Sequence, residues 1–319
     1  MTGWLEICLQ WLIRLFVVAL HLLSYSFNGM LVYLIVKKKV VKTWIYVCNM
    51  VVAEVLLNLT QHASVEFNWV IADAFKNKLH TSFFVQFTSY VNLIAFEFRY
   101  FLTLLMSVNR LLIVLFQGAD VIFKESQIIL FSLFIWFFLV FMNLSLFLNN
   151  CLYFFDWEEF RWIFLCPKPT NPLHYVSYYL YFLPIATFVL NITGVVYVKL
   201  KRSDIFILSH MMTGLSRNSE NNRRLRENFL VFHAFIISVI MSIDSIYTLL
   251  HNQLAAQFRG LSPVVKELLG SSNLYISSLI NFLIYFACNS NIRQNVLTIV
   301  LRRPRIFPNG RTIVIPNSL

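Results

Sequence analysis

Seven stretches of this chain are each about 20 or more mostly apolar residues long, the length a helix needs to cross a bilayer. They run over residues 12–36, 44–66, 82–116, 126–148, 174–200, 227–251 and 266–289. A single soluble core does not absorb that much apolar sequence. The 319 residues are 58% hydrophobic and 13% charged, against roughly 25% charged in ordinary soluble domains. The expected fold is an all-α membrane protein, a seven-transmembrane helix bundle.

The first stretch contains Arg14, His21 and Asn28 and is the least clean of the seven. It is still longer than the apolar core of a signal peptide, so it is expected to stay as an uncleaved first span. The 11 residues ahead of it are too few for an extracellular binding domain. No internal repeat of the transporter kind is visible.

Lysine and arginine fix the expected orientation, because short cytoplasmic loops retain them. The first, third and fifth connections plus the tail hold 17 of them, including Lys37, Lys38, Arg223, Arg224 and Arg226. The opposite loops hold 6: Lys76, Lys78, Arg161, Lys168, Arg259 and Lys266. The amino terminus is therefore expected outside and the carboxyl terminus inside. A net charge of +11 dispersed over one membrane face is topogenic and does not point to nucleic acid.

Five cysteines are present. Cys48 and Cys288 fall near the inner ends of spans, and Cys8 lies outside. Cys151 and Cys166 share the external loop between the fourth and fifth spans, where a disulfide persists, and they are expected to pair. Closing that loop stabilises by about 3 kcal/mol in the chain-entropy account. Three sequons begin at Asn58, Asn143 and Asn191, but all lie within spans and are expected to be chance matches.

The informative residues are the polar ones that hydrocarbon excludes, since each must face a partner or water. Asn28 lies in the first span, Glu54 in the second, and Asn281-Phe282-Leu283-Ile284-Tyr285 near the inner end of the seventh. Asn109-Arg110 closes the third span at the cytoplasmic boundary. Taken singly, such residues are interhelical hydrogen bonds of about 1 kcal/mol each. Taken together, a carboxylate and two carboxamides on three helices form a network with alternative bonding patterns, and hence a conformational switch.

These residues carry a resemblance. The chain resembles G-protein-coupled receptors of rhodopsin-like architecture, and most closely the nematode serpentine chemoreceptors of the Srx class. Asn28 matches the first-helix asparagine, Glu54 stands in the place of the second-helix aspartate, and Trp136 matches the fourth-helix tryptophan. Asn109-Arg110 stands where an acidic-Arg-aromatic motif is usual, Pro184 matches the fifth-helix proline, and Asn281 to Tyr285 follows the NPxxY pattern with phenylalanine for proline. Residues 291–303 read as the short amphipathic helix that follows the seventh span. The narrower match rests on Cys151-Leu152-Tyr153-Phe154-Phe155-Asp156, Trp162, Cys166 and the Asn-Arg form. Departures accompany it. No cysteine opens the third span, the sixth has no proline, Asn109 cannot hold Arg110 by an ion pair, and the tail lacks a cysteine for a palmitoyl anchor.

The resemblance implies a receptor domain over residues 1–303 and a short cytoplasmic tail over 304–319 without regular structure. It implies a plasma-membrane chemosensory receptor, with a sensory cilium as a natural compartment. Such a receptor takes an extracellular small molecule and activates a heterotrimeric G protein through Asn109, Arg110, Arg223, Arg224 and Arg226. Asn28, Glu54, Asn281 and Tyr285 form the expected switch network. Asn92, Glu97, Arg99 and Asp244 are candidates for the floor of a ligand pocket. Arg99 lies 11 residues before Arg110, about 16 Å deeper along a helix. Glu97 and Arg99 face different sides of that helix, so each is expected to meet another helix, with Asp244 a candidate partner for Arg99.

No metal-ligand cluster, nucleophile elbow or phosphate-binding glycine loop is present, so no catalytic residue, metal or cofactor is expected. A channel or transporter is the rival reading, since Glu54, Glu97, Arg99, Asp244 and His251 are candidates to line a polar path. A peptide receptor of the same superfamily is the second alternative. Current that persists without G proteins separates the first rival from the receptor reading.

Overall fold

The computed structural model describes residues 2–38, 44–66, 82–116, 123–156, 161–167, 182–209, 235–236, 238–243, 245–246, 250, 260–262, 264–266, 268, 286, 290–300, 305–306 and 312–313. Five long helices are described in full: α1 (Thr2–Lys38), α2 (Trp44–Gln61), α3 (Phe83–Leu115), α4 (Glu125–Leu148) and α5 (Leu183–Ser209). Helical residues at positions between 235 and 250, and at 264–266 and 268, lie within or beside the sixth and seventh expected spans. Three described helical segments are long and apolar enough to cross a membrane, Trp4–Val36, Phe83–Ile113 and Glu125–Leu148, and Leu183–Tyr197 is a shorter apolar helix.

Several boundaries differ from the sequence reading. α1 starts at Thr2, ten residues before the expected span, because the apolar run Trp4, Leu5, Ile7 and Leu9 offers nothing to stop a helix. α2 ends at Gln61 and finishes in a π-helical turn over His62–Glu66, where an unbroken α-helix was expected. α5 carries on to Ser209, so Lys201 and Arg202 extend the helix and do not open a loop. Residues 168–181, which hold the expected start of the fifth span, lie outside the described residues.

α3 is the central helix. Its apolar window is 61% buried, compared with 17% for α1 and 28% for α4, and it packs on α2, α4 and α5. Its ends are set locally. Ser82 is extended and its Oγ accepts the Val85 N–H, while Phe116 leaves helical geometry after bonding Leu112 O. α4 behaves differently, with Phe134, Phe137 and Phe141 all exposed on its surface. Such faces suit hydrocarbon, where apolar side chains need no protein cover. The core between the helices holds Leu31, Met50, Ala53, Phe98, Leu102, Leu139 and Met241, with Phe98 stacked on Trp136 at 4.0 Å between ring centroids.

Beyond α4 the chain forms an antiparallel hairpin of β1 (Leu152–Asp156) and β2 (Arg161–Leu165), in register Leu152↔Leu165 through Asp156↔Arg161. It is regular structure that the helical reading did not include. The amphipathic helix Ser290–Val300 contacts α1 and buries Val296, leaving Arg293, Gln294 and Leu297 exposed. In the tail, Arg305–Ile306 pairs antiparallel with Thr312–Ile313.

Candidate functional site: polar contacts along the third helix

α3 carries polar side chains at three depths, and each reaches a different neighbour. At the end nearest the hairpin, Gln86 Oε1 accepts the backbone N–H of Tyr153 at 3.2 Å and the Tyr90 hydroxyl donates to Cys151 O at 2.8 Å. These two residues are one turn apart, and Leu93 continues their stripe beneath the hairpin. A disulfide joins Cys151 to Cys166 and ties off the hairpin. Tyr153 stacks on Trp162 at 4.9 Å and packs beside Tyr90. The hairpin is thus fixed to α3 by hydrogen bonds and rings at the place where no cysteine is available.

On the next face, Asn92 Nδ2 donates to Thr60 Oγ1 at 3.0 Å and to Leu57 O at 3.3 Å, joining α3 to the C-terminal half of α2. Deeper, Asn143 Nδ2 on α4 donates to Glu97 Oε2 at 2.8 Å. Arg99 turns to α2, with Nη1 3.8 Å from Glu54 Oε2 and both side chains 0% exposed. Its Nη2 lies 4.0 Å from Met241 Sδ, in the sixth span, and its guanidinium is 5.6 Å from the Phe96 ring centroid. One residue further, Ser245 Oγ donates to the Tyr100 hydroxyl at 3.0 Å, and Ser242 Oγ donates to Pro184 O at 3.1 Å. The middle of α3 is therefore connected to α2, α4 and the sixth span at one level.

At the end of α3 opposite the hairpin, Asn109 Nδ2 donates to the Tyr46 hydroxyl of α2 at 2.9 Å, and Arg110 is half-buried beside it. Between α1 and α2, Ser24 Oγ accepts from both Asn28 at 3.2 Å and Asn58 at 3.0 Å.

Asn92, Glu97 and Arg99, grouped in the sequence reading as one pocket floor, are brought to three separate contacts. Helical periodicity puts Asn92 and Arg99, seven residues apart, on the side that faces α2 and turns Glu97 away to α4. Glu54, grouped with Asn28, contacts Arg99, which joins the expected switch to the expected pocket. Asp244, Asn281, Tyr285, Arg223, Arg224 and Arg226 lie outside the described residues. Sequence reasoning missed Ser24, Tyr46, Gln86, Tyr90, Asn58 and Asn143 as contact residues. Asn58 and Asn143 were set aside as chance sequons, and both are 0% exposed, which fits hydrogen bonding between helices and not glycosylation. A polar residue in an otherwise apolar span was the available signal.

Residues 20–259 match the family model described as the serpentine-type seven-transmembrane G-protein-coupled chemoreceptor Srx. The chain belongs to this Srx family. Its fold is that of the rhodopsin-like seven-transmembrane receptors. Squid rhodopsin is similar in structure with a TM-score of 0.69, over 95% of this chain and 88% of that one, at 13% sequence identity. Identity that low speaks for the fold alone. No curated protein matches the chain. The Srx assignment makes this a membrane-embedded chemoreceptor of the G-protein-coupled class, and the disulfide-closed hairpin caps one end of its third helix.

Proposed function

We propose that this Srx receptor binds a small extracellular molecule beneath the hairpin end of the bundle and activates a heterotrimeric G protein at the opposite end. The observation that carries the reading is the continuity of α3. One helix bears the hairpin contacts of Gln86 and Tyr90, the mid-depth pair of Arg99 with Glu54, and Arg110 at its inner end. A shift or rotation of such a helix moves all three levels together, as small translations at packed interfaces do in switching proteins. The receptor sits in the plasma membrane with its amino terminus outside, as the 17-to-6 distribution of basic residues supports. Arg110 contacts the G protein, assisted by Arg223, Arg224 and Arg226.

A ligand shifts the receptor only through its differential affinity for the two states. Moving the ratio from 1:99 to 99:1 takes about 5.5 kcal/mol, more than a small odorant readily supplies, so a partial shift is the working expectation. Asn28, Glu54, Asn281 and Tyr285 form the switch network, and Arg99 extends it into the third helix.

The test is expression of the full chain with a panel of Gα subunits and a small-molecule library, read as second messenger. Ligand-dependent signal that Arg110→Ala abolishes at equal surface expression supports the reading. Responses unchanged by Arg110→Ala, or ligand-gated current in cells lacking G proteins, overturn it.

A further inference from the structure

We infer that Tyr46 is a positioning residue for Arg110, supplying from α2 the anchor that an acidic neighbour on α3 does not supply here. The inference rests on the coupling role proposed for Arg110. Tyr46 and Asn109 are 2% and 6% exposed, so their 2.9 Å hydrogen bond forms where water does not compete. Asn109 is the donor, and the phenol oxygen accepts. One hydroxyl on α2 thus holds, by a hydrogen bond, the residue that immediately precedes Arg110 on α3.

A carboxamide holds its neighbour differently from a carboxylate. Asn109 has no charge to offer Arg110, and its buried Oδ1 has no hydrogen-bond donor among the described residues. The contact satisfies Asn109 at the nitrogen only, which leaves a residual cost in the observed state. Any rearrangement that carries the inner end of α3 away from α2 breaks the Tyr46 contact, and it also frees Asn109 Oδ1 to find a donor. Tyr46 therefore sets how far the receptor rests in the observed state, and loss of its hydroxyl raises spontaneous activity.

The experiment uses full-length receptor in nanodiscs with a purified heterotrimer, reading spontaneous GTPγS uptake at matched amounts of monodisperse receptor. Tyr46→Phe is expected to raise basal exchange about fivefold, the factor that corresponds to one net hydrogen bond. Asn109→Leu is expected to raise it less, because it removes the unpaired Oδ1 along with the contact, and the double variant is expected not to exceed Tyr46→Phe, because both changes remove one contact. A nonspecific packing defect gives additive effects. A second readout needs no G protein. Cys48 lies two residues from Tyr46 and is half-buried, so its maleimide labelling, followed by peptide mapping, is expected to quicken in Tyr46→Phe.

If the wild type drives no exchange with any heterotrimer, or Arg110→Ala leaves exchange intact, the coupling role falls and the inference with it. Where the wild type is active and depends on Arg110, unchanged exchange in Tyr46→Phe, additive effects in the double variant, or unchanged Cys48 labelling overturns the inference alone.

Discussion

Arg99 Nη1 and Glu54 Oε2 lie 3.8 Å apart with neither side chain reaching solvent, so α2 and α3 are joined by opposite charges inside the bundle. A buried pair of this kind costs desolvation that its own attraction only partly offsets. Removing one partner strands the other. Arg99→Ala and Glu54→Ala are each expected to destabilise the receptor by about 3 to 5 kcal/mol. The double change Glu54→Leu with Arg99→Met replaces both charges by apolar groups, and it is expected to regain most of that loss while signalling stays impaired. Thermal unfolding of detergent-solubilised receptor, alongside a signalling assay, reads both halves. A double variant no more stable than the singles rejects the pairing as the source of the loss.

Glu97 and Asn143 make the corresponding contact between α3 and α4 at 2.8 Å. Asn143→Leu leaves a buried carboxyl group without its donor, an expected loss of about 2 kcal/mol. Glu97→Gln keeps an acceptor oxygen in the same place and is expected to change stability by less than about 1 kcal/mol. Equal melting-temperature losses in the two variants contradict the assigned hydrogen bond.

These contacts mark where sequence reasoning stops. The ends of α3 and α4 were legible to within a residue, because Ser82 caps the first and a turn closes the second after Leu148. The pairing of Cys151 with Cys166 was legible as well, since compartment and loop leave those two thiols together. Partner choice across helices was not. Whether Arg99 meets Glu54 or Asp244 depends on helix rotation and crossing geometry, which periodicity within one span does not encode. The hairpin was hidden for another reason. Residues 152–165 alternate only loosely, and their strand pairing depends on the disulfide and on Tyr90 and Gln86, which lie more than 60 residues away in sequence.

The hairpin is held by two kinds of restraint that respond differently to substitution. Loss of the Cys151–Cys166 bond through a double serine change frees the loop and is expected to cost about 3 kcal/mol of local stability. Tyr90→Phe removes one hydrogen bond to Cys151 O, with an expected loss of about 1 kcal/mol. Hydrogen exchange of amides in residues 152–165 measures both as faster opening. If Tyr90→Phe leaves exchange there unchanged, the hydroxyl does not restrain the hairpin.

The turn that delivers Cys151 into this hairpin supplies the last prediction. Asn150 adopts φ 57°, the left-handed region that β-branched residues avoid. It sits just past the end of α4, where Asn150 N bonds Phe147 O at 3.0 Å and Cys151 N bonds Leu146 O at 3.1 Å. That paired pattern is a Schellman stop, and it needs one residue in the left-handed conformation. Asparagine tolerates it and glycine adopts it freely, so Asn150→Gly is expected to leave stability within about 0.5 kcal/mol. Asn150→Val is expected to cost about 1 to 2 kcal/mol, because the branch at its Cβ crowds the backbone in that conformation and it lacks the short polar side chain that lets asparagine adopt it. That change also tilts the start of β1, so it is expected to slow Cys151–Cys166 formation during refolding from the reduced state. Free-thiol titration over time reads the rate, and identical rates in the valine and glycine variants show that the turn does not direct the hairpin.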